Sequence, residues 1–254
     1  MRIKAAFQFQ LMDLRWAVLI YYGIIITLTL LANITVVSFS AGVVGNDETA
    51  VMSGLTMSSS IFVFVVGLNS FTENFRFCLQ NGMSRRTIFF ARLSTAAVLS
   101  LFMSLVDQIF HTILSILGKT SDWSSASLFQ LIYPQAFQSP VQGFFLSAIY
   151  GFALLLLLSN LGYGIVMLFY RLGKLGKWLV GGGIPALCLF GIPGLKMLDT
   201  LYFGEKLRAF GNAVISPIFQ FAFGTYSNCI ISLFVLAVFF AWIDWLLLRR
   251  AIVR

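Results

Sequence analysis

Long apolar runs alternate along this chain with short polar interruptions, and six of the runs reach about 20 residues, the length a helix needs to cross a hydrocarbon core of about 30 Å. They extend from Trp16 to Phe39, Met52 to Phe71, Phe89 to Leu117, Gly143 to Tyr170, Trp178 to Leu198 and Tyr226 to Leu248. None shows the strict polar–apolar alternation of a membrane barrel strand. The pattern predicts an all-α integral membrane protein with six transmembrane helices, forming a single transmembrane domain over residues 1–254.

Residues 1–15 have a different pattern. Ala5, Ala6, Phe9, Met12 and Trp16 recur at helical spacing while Lys4, Gln8 and Arg15 fall mainly elsewhere, which predicts a short amphipathic helix in the membrane interface. The plain alternative is a snorkelling lead-in to the first span. That span is too long for a signal-peptide core and is expected to remain as a helix.

Charge then sets the orientation. Arg2, Lys4, Arg15, Arg76, Arg85, Arg86, Arg92, Arg171, Lys174, Lys177, Arg249, Arg250 and Arg254 fall on one side, 13 of the 17 basic residues, and Lys119, Lys196, Lys206 and Arg208 on the other. The positive-inside rule therefore places both termini in the cytoplasm. The net charge of +8 follows from this topology and from attraction to anionic lipid, and calls for no nucleic acid. With 59% hydrophobic and 10% charged residues there is no room for a soluble domain of ordinary size. Cys78, Cys188 and Cys229 are too scattered for a disulfide framework or a thiolate metal site, and a lone histidine makes no metal cluster.

The most specific local sequence is SFTENFRFCLQNGMSRRTIFFAR, Ser70 to Arg92. Ser70 and Glu73 have capping-box spacing, so a helix can start where the second span ends. Phe71, Phe75, Cys78 and Leu79 share one face of it, Asn81-Gly82 closes it, and Ser84 caps the next helix, which becomes span three. Arg85 and Arg86 in a first turn oppose the helix dipole, so something else must favour them. Topology alone is one explanation; a docking element with an exposed aromatic face and basic flanks is the other.

Phe75-Arg76-Phe77 and Leu79-Gln80-Asn81-Gly82-Met83-Ser84-Arg85-Arg86-Thr87-Ile88-Phe89-Phe90 resemble the run "lqNGiSRktfF" that follows the second span in membrane subunits of ABC transporters, the type-2 permease family of Gram-positive bacteria. Six spans, internal termini, an amphipathic amino-terminal helix and no fused ATPase agree with that layout. The resemblance implies a bacterial cell-membrane location, a dimeric core with a second identical or homologous permease protomer, and separate cytoplasmic ATPase subunits carrying ATP and Mg. It also implies coupling through a cytoplasmic helix in residues 70–82, with Glu73, Phe75, Arg76, Leu79, Gln80, Asn81, Gly82, Arg85 and Arg86 as the coupling residues. Such families export peptides, drugs, lipids or polysaccharides, or protect against antimicrobial peptides, and the motif does not distinguish among them. The chain itself holds no cofactor: in the nearest match to a phosphate loop, Gly118-Lys119-Thr120, Ile113 stands where the first glycine belongs, and ATP hydrolysis is expected only in the partner.

Span three carries a polar stripe. Ser100, Ser104, Asp107, Gln108, His111 and Ser115 recur at steps of three and four, with Asp107 about 22 Å inward from Arg92 at 1.5 Å per residue. The first five are the candidate translocation path, lining an outward vestibule; packing between helices is the alternative. A proton relay through Asp107 and His111 would instead make the chain an ATP-independent secondary transporter or channel. No catalytic constellation is present. Span five, with Gly181-Gly182-Gly183, Pro185, Gly191 and Pro193-Gly194, is expected to be interrupted. Residues 199–224, rich in phenylalanine, are expected to form a re-entrant or interfacial segment on the outer face, and Asp244 to snorkel to the inner interface.

Overall fold

The computed structural model describes residues 2–40, 50–52, 54–118, 123–125, 127–136, 139–178, 181, 213, 216–217 and 219–249. Within them the apolar runs become helices, as they must where no water is present to satisfy backbone amides. In chain order these are α1 (Arg2–Ser40), α2 (Gly54–Asn69), α3 (Thr72–Gln80), α4 (Arg85–Gly118), α5 (Leu128–Ile132), α6 (Pro140–Arg171), α7 (Lys174–Trp178) and α8 (Tyr226–Arg249). A three-residue parallel pair, β1 (Ala50–Met52) with β2 (Trp123–Ser125), joins the loops after α1 and α4, in the register Ala50 to Trp123.

Among the described residues, four helices are long and apolar enough to cross a membrane: α1 over Ile3–Thr29, α4 over Arg85–Ile116, α6 over Pro140–Arg171, and α8. Helix α2 is apolar but has only 16 residues. The fifth expected span lies almost wholly outside the described residues, as does most of residues 199–224. The described part of the latter is helical at 219–223 and folds back along α8: Asn228 Nδ2 donates to the Phe221 carbonyl at 3.1 Å and Ser232 Oγ to that of Ala222 at 3.3 Å.

Helix α1 runs unbroken for 39 residues, so residues 1–15 continue directly into the first apolar run. Ala6, Gln10 and Val18 are buried, whereas Met12 and Trp16 are 58% and 63% exposed, so the side of α1 that carries Met12 and Trp16 faces away from the other helices. Polar Gln10 faces inward because it has a partner there, accepting from Thr95 Oγ1 at 3.1 Å.

Helix α6 occupies the centre, packed most extensively on α2 and α8 and then on α4, with α1 outside α4. Lipid tails are as apolar as leucine, so helices here associate through close approach and polar contacts more than through hydrophobicity. The closest approach is reciprocal. A Cβ on Gly67 of α2 would lie 2.5 Å from the Ser159 carbonyl oxygen, and one on Gly162 of α6 would lie 2.5 Å from that of Phe64. Only glycine lets the two backbones meet there.

Gly162→Leu is expected to wedge α2 from α6 and destabilise the protein by about 1–3 kcal/mol, the usual cost of overpacking. Gly23→Leu, with open space around its Cβ, is the control. Thermal unfolding in detergent checks both: a lower midpoint for the first, none for the second.

Candidate functional site

The α3 element connects α2 to α4. Helix α3 begins at Phe71 without a side-chain cap, which corrects the capping box expected from Ser70 and Glu73: the Ser70 hydroxyl instead donates to the Val66 carbonyl of α2, at 2.5 Å. The second span thus hands over to α3 through the backbone. The exit of α3 follows the sequence closely. Gly82 has φ +66, its N–H bonds the Leu79 carbonyl at 2.9 Å, and the Met83 N–H bonds that of Cys78 at 3.0 Å, the paired closure of a Schellman motif. Asn81 Nδ2 adds a bond to Phe77 O at 2.8 Å. Ser84 then caps α4, its Oγ accepting from the Thr87 N–H at 3.2 Å.

Phe71, Phe75 and Cys78 do share one face, but that face is buried with Ile88, Phe89, Tyr163, Met167 and Leu248. This corrects the exposed aromatic docking surface. Phe75 is a core anchor, 2% exposed and stacked on Phe71 at 4.9 Å, and Phe71 meets Tyr163 and Tyr170 edge-on. Burial also pushes the Cys78 thiol above its ordinary range. Leu79 packs on the same cluster, and Phe77 stacks at 4.6 Å on Phe9 of α1. Glu73 and Arg76 belong to α3, their side chains outside the described residues. Exposed at the tip remain Gln80, Asn81 and Gly82.

Beneath α3 lies a group that sequence reasoning missed. Arg92, expected in the cytoplasm, is buried between α4 and α6. Its guanidinium donates to Asn160 Oδ1 at 2.5 Å, to the Ser159 carbonyl at 2.6 Å and to Ser159 Oγ at 3.1 Å, and lies 4.2 Å from the centre of the Tyr163 ring. Asn160 Nδ2 continues to the Ala237 carbonyl of α8 at 3.1 Å. Asp244, expected to snorkel, is also buried: its carboxylate packs against Gly164, feels the charge of Arg92, and has no hydrogen-bond partner among the described residues. Two signals were legible: an arginine well inside α4 after Arg85 and Arg86 had already closed the interface, and Ser159-Asn160 in a leucine-rich run.

The puzzle of arginines in a helix first turn resolves at the opposite end of another helix. Arg85 Nη1 donates to the Arg249 carbonyl at 2.8 Å, so the cation sits at the carboxyl end of α8, where the dipole favours it. Arg86 is exposed in an open cavity beside it.

All five candidate path residues are buried. Ser104 Oγ donates to the Ala148 carbonyl of α6 at 2.6 Å, Asp107 Oδ1 accepts from Tyr22 of α1 at 3.0 Å, and His111 Nε2 lies 3.4 Å from Thr56 Oγ1 of α2. Ser100 Oγ has no hydrogen-bond partner among the described residues. The structure thus separates the stripe into two parts. Ser100, Ser104 and Asp107 lie between helices, and an interhelical hydrogen bond such as those of Ser104 and Asp107 contributes about 0.6 kcal/mol on average. Gln108 and His111 border a cavity of about 350 Å³, shared with Ser115, Ser127, Gln130 and Ser139 at the end of the bundle away from α3. Among the described residues no cluster of three or more His, Cys, Asp or Glu side chains forms a metal site.

Two outcomes follow for stability, each read by thermal unfolding in detergent. Phe75→Ala is expected to lose about 3–5 kcal/mol, as for a core phenylalanine, whereas Gln80→Ala at the exposed tip stays within about 0.5 kcal/mol. For the buried charges, Arg92→Leu alone is expected to be strongly destabilising. Arg92→Leu with Asp244→Leu is expected to be less destabilised than the sum of the single variants, by about 0.5–3 kcal/mol, the range for groups in one network. Strict additivity would show that the two charges are independent.

No protein-family model, no curated protein and no solved structure matches this chain.

Proposed function

We propose that this chain is the membrane-spanning permease subunit of an ABC exporter, with six spans, both termini in the cytoplasm of a bacterial cell, and the translocation path formed with a second protomer. Separate cytoplasmic subunits supply ATP hydrolysis. The observation that carries this reading is the build of the α3 element: a short helix locked into the bundle by Phe71, Phe75 and Cys78, closed by a Schellman turn, and presenting Gln80-Asn81-Gly82 outward. A loop serving only to connect two spans needs none of this. A surface that receives a mechanical stroke needs both a rigid tip and a stiff attachment, and α3 has both.

The proposal reassigns the coupling residues. The tip residues Gln80, Asn81 and Gly82 make the contact, and Phe75 transmits it inward to the Tyr163–Arg92 seat. The cavity bordered by Gln108 and His111 supplies a polar opening at the far end. Its size and mixed hydroxyl and amide lining suit an amphipathic cargo, in keeping with a peptide, drug or lipid substrate.

The purified chain is expected to hydrolyse no ATP alone and to support hydrolysis when co-expressed with its nucleotide-binding subunit. Gln80→Arg, on the exposed tip, is expected to cut association with that subunit at least about tenfold, a loss of about 1.4 kcal/mol, with no change in thermal midpoint. Pull-down and vesicle transport assays read the outcome. Hydrolysis by the isolated chain, or unchanged association in the tip variant, would overturn the assignment.

A further inference from the structure

Where α4 begins and α8 ends, an open cavity of about 660 Å³ is lined by Ser84, Arg85, Arg86, Phe90, Trp245 and Arg249. Three guanidinium groups share it and no carboxylate lines it among the described residues. Arg85 is engaged at the last turn of α8. The side chains of Arg86 and Arg249 make no hydrogen bond or ion pair with any described residue. In the sequence, Arg250 and Arg254 follow, with no Asp or Glu after Asp244. Like charges gathered without a counter-charge repel one another, so the arrangement favours an anion from outside the chain.

The other wall identifies the source of that anion. Phe90 is 54% exposed on α4, Trp245 lines the cavity from α8, and Trp242 and Leu246 lie exposed on the outward side of α8. Indole and phenyl rings at this depth mark the headgroup level of a bilayer, and the apolar surface below them is where acyl chains lie. Basic pockets between spanning helices on the cytoplasmic side suit anionic headgroups.

We propose that this cavity binds the phosphate headgroup of an anionic phospholipid, with Arg86 and Arg249 contacting the phosphate and the chains descending past Phe90 and Trp242. The Ser84 hydroxyl lies at the same rim. The bound lipid neutralises the junction between α4 and α8. This site is independent of the transporter reading, since it requires no partner subunit.

Native mass spectrometry of the delipidated full chain, titrated with phosphatidylglycerol or phosphatidylcholine, tests it. Phosphatidylglycerol is expected to bind more tightly, and Arg86→Gln and Arg249→Gln are each expected to weaken it about fivefold, the effect of one basic residue near an anionic surface. Because neither side chain bonds a described residue, both variants are expected to fold, and an unchanged thermal midpoint confirms it. Equal binding of the two lipids, or phosphatidylglycerol binding unchanged in Arg86→Gln, overturns the proposal. Displacement of the lipid by millimolar inorganic phosphate would also overturn it, making this a soluble-anion site. So would loss of ATPase-subunit capture in Arg86→Gln with lipid binding intact, which would assign the arginines to an acidic protein surface.

Discussion

A guanidinium placed among membrane helices must be satisfied from within the chain, and the seat of Arg92 organises the half of the molecule that bears α3. Inserting an arginine at the centre of a lone spanning helix costs about 2.5–3.5 kcal/mol on insertion scales. Here one turn of α6 offsets that cost. Ser159 supplies a carbonyl and a hydroxyl, Asn160 an amide oxygen, and Tyr163 a ring face. The same turn serves three other neighbours: Gly67 of α2 rests against the Ser159 carbonyl, Asn160 reaches the Ala237 carbonyl of α8, and Tyr163 receives the edge of Phe71. Replacing a single residue of this turn therefore disturbs several interfaces at once. Asp244 belongs to the same neighbourhood, its carboxyl group held against Gly164 without a hydrogen bond among the described residues.

The far half is held differently. Tyr22 donates to Asp107 and also to the Met103 carbonyl, Tyr21 shares a hydrogen bond with Ser59, and Ser104 reaches Ala148. These are contacts of hydroxyl groups between neighbouring helices, and they give way at Gln108 and His111 to an open polar cavity. One end of the bundle is thus tied through a buried arginine and the other through hydroxyl contacts that end at an open cavity. An element that opens needs the second kind of bonding, and an element that receives force needs the first.

Local backbone chemistry was readable from the chain; the facing of helices was less so. Asn81-Gly82 and Ser84 announced the turn and cap that the structure contains, and the i, i+4, i+7 spacing correctly grouped Phe71, Phe75 and Cys78. Their burial was misread because an apolar face beside a cytoplasmic stretch suits a partner as well as a core. In α1 the apolar Met12 and Trp16 face outward and the polar Gln10 inward. Inside a membrane protein apolarity no longer identifies the buried side, since lipid accepts it equally. Asp244 lies within snorkelling reach of the end of α8, and only the position of Gly164 on another helix reveals that the carboxylate points inward. Long-range pairings such as Arg85 with the Arg249 carbonyl leave no trace in spacing.

On the proposed reading, the geometry also indicates how a push on α3 would travel. The tip is joined to α4 by the Schellman closure and the Ser84 cap, with no flexible linker between the two helices. Two routes leave it. One runs sideways through Phe75 and Phe71 to Tyr163 and the α6 seat. The other runs along α4, which is unbroken from Arg85 to Gly118 and therefore moves as a rod of about 50 Å at 1.5 Å per residue. Arg92 fastens the rod to α6 near the driven end and Ser104 fastens it again further along, so on this reading a displacement passes through both to the far end. That end carries Gln108 and His111 beside their cavity, where hydroxyl groups of α1 and α2 contact Asp107 and His111. The buried arginine would then be the first fixed point on that route, one turn of α6 holding it close to α3.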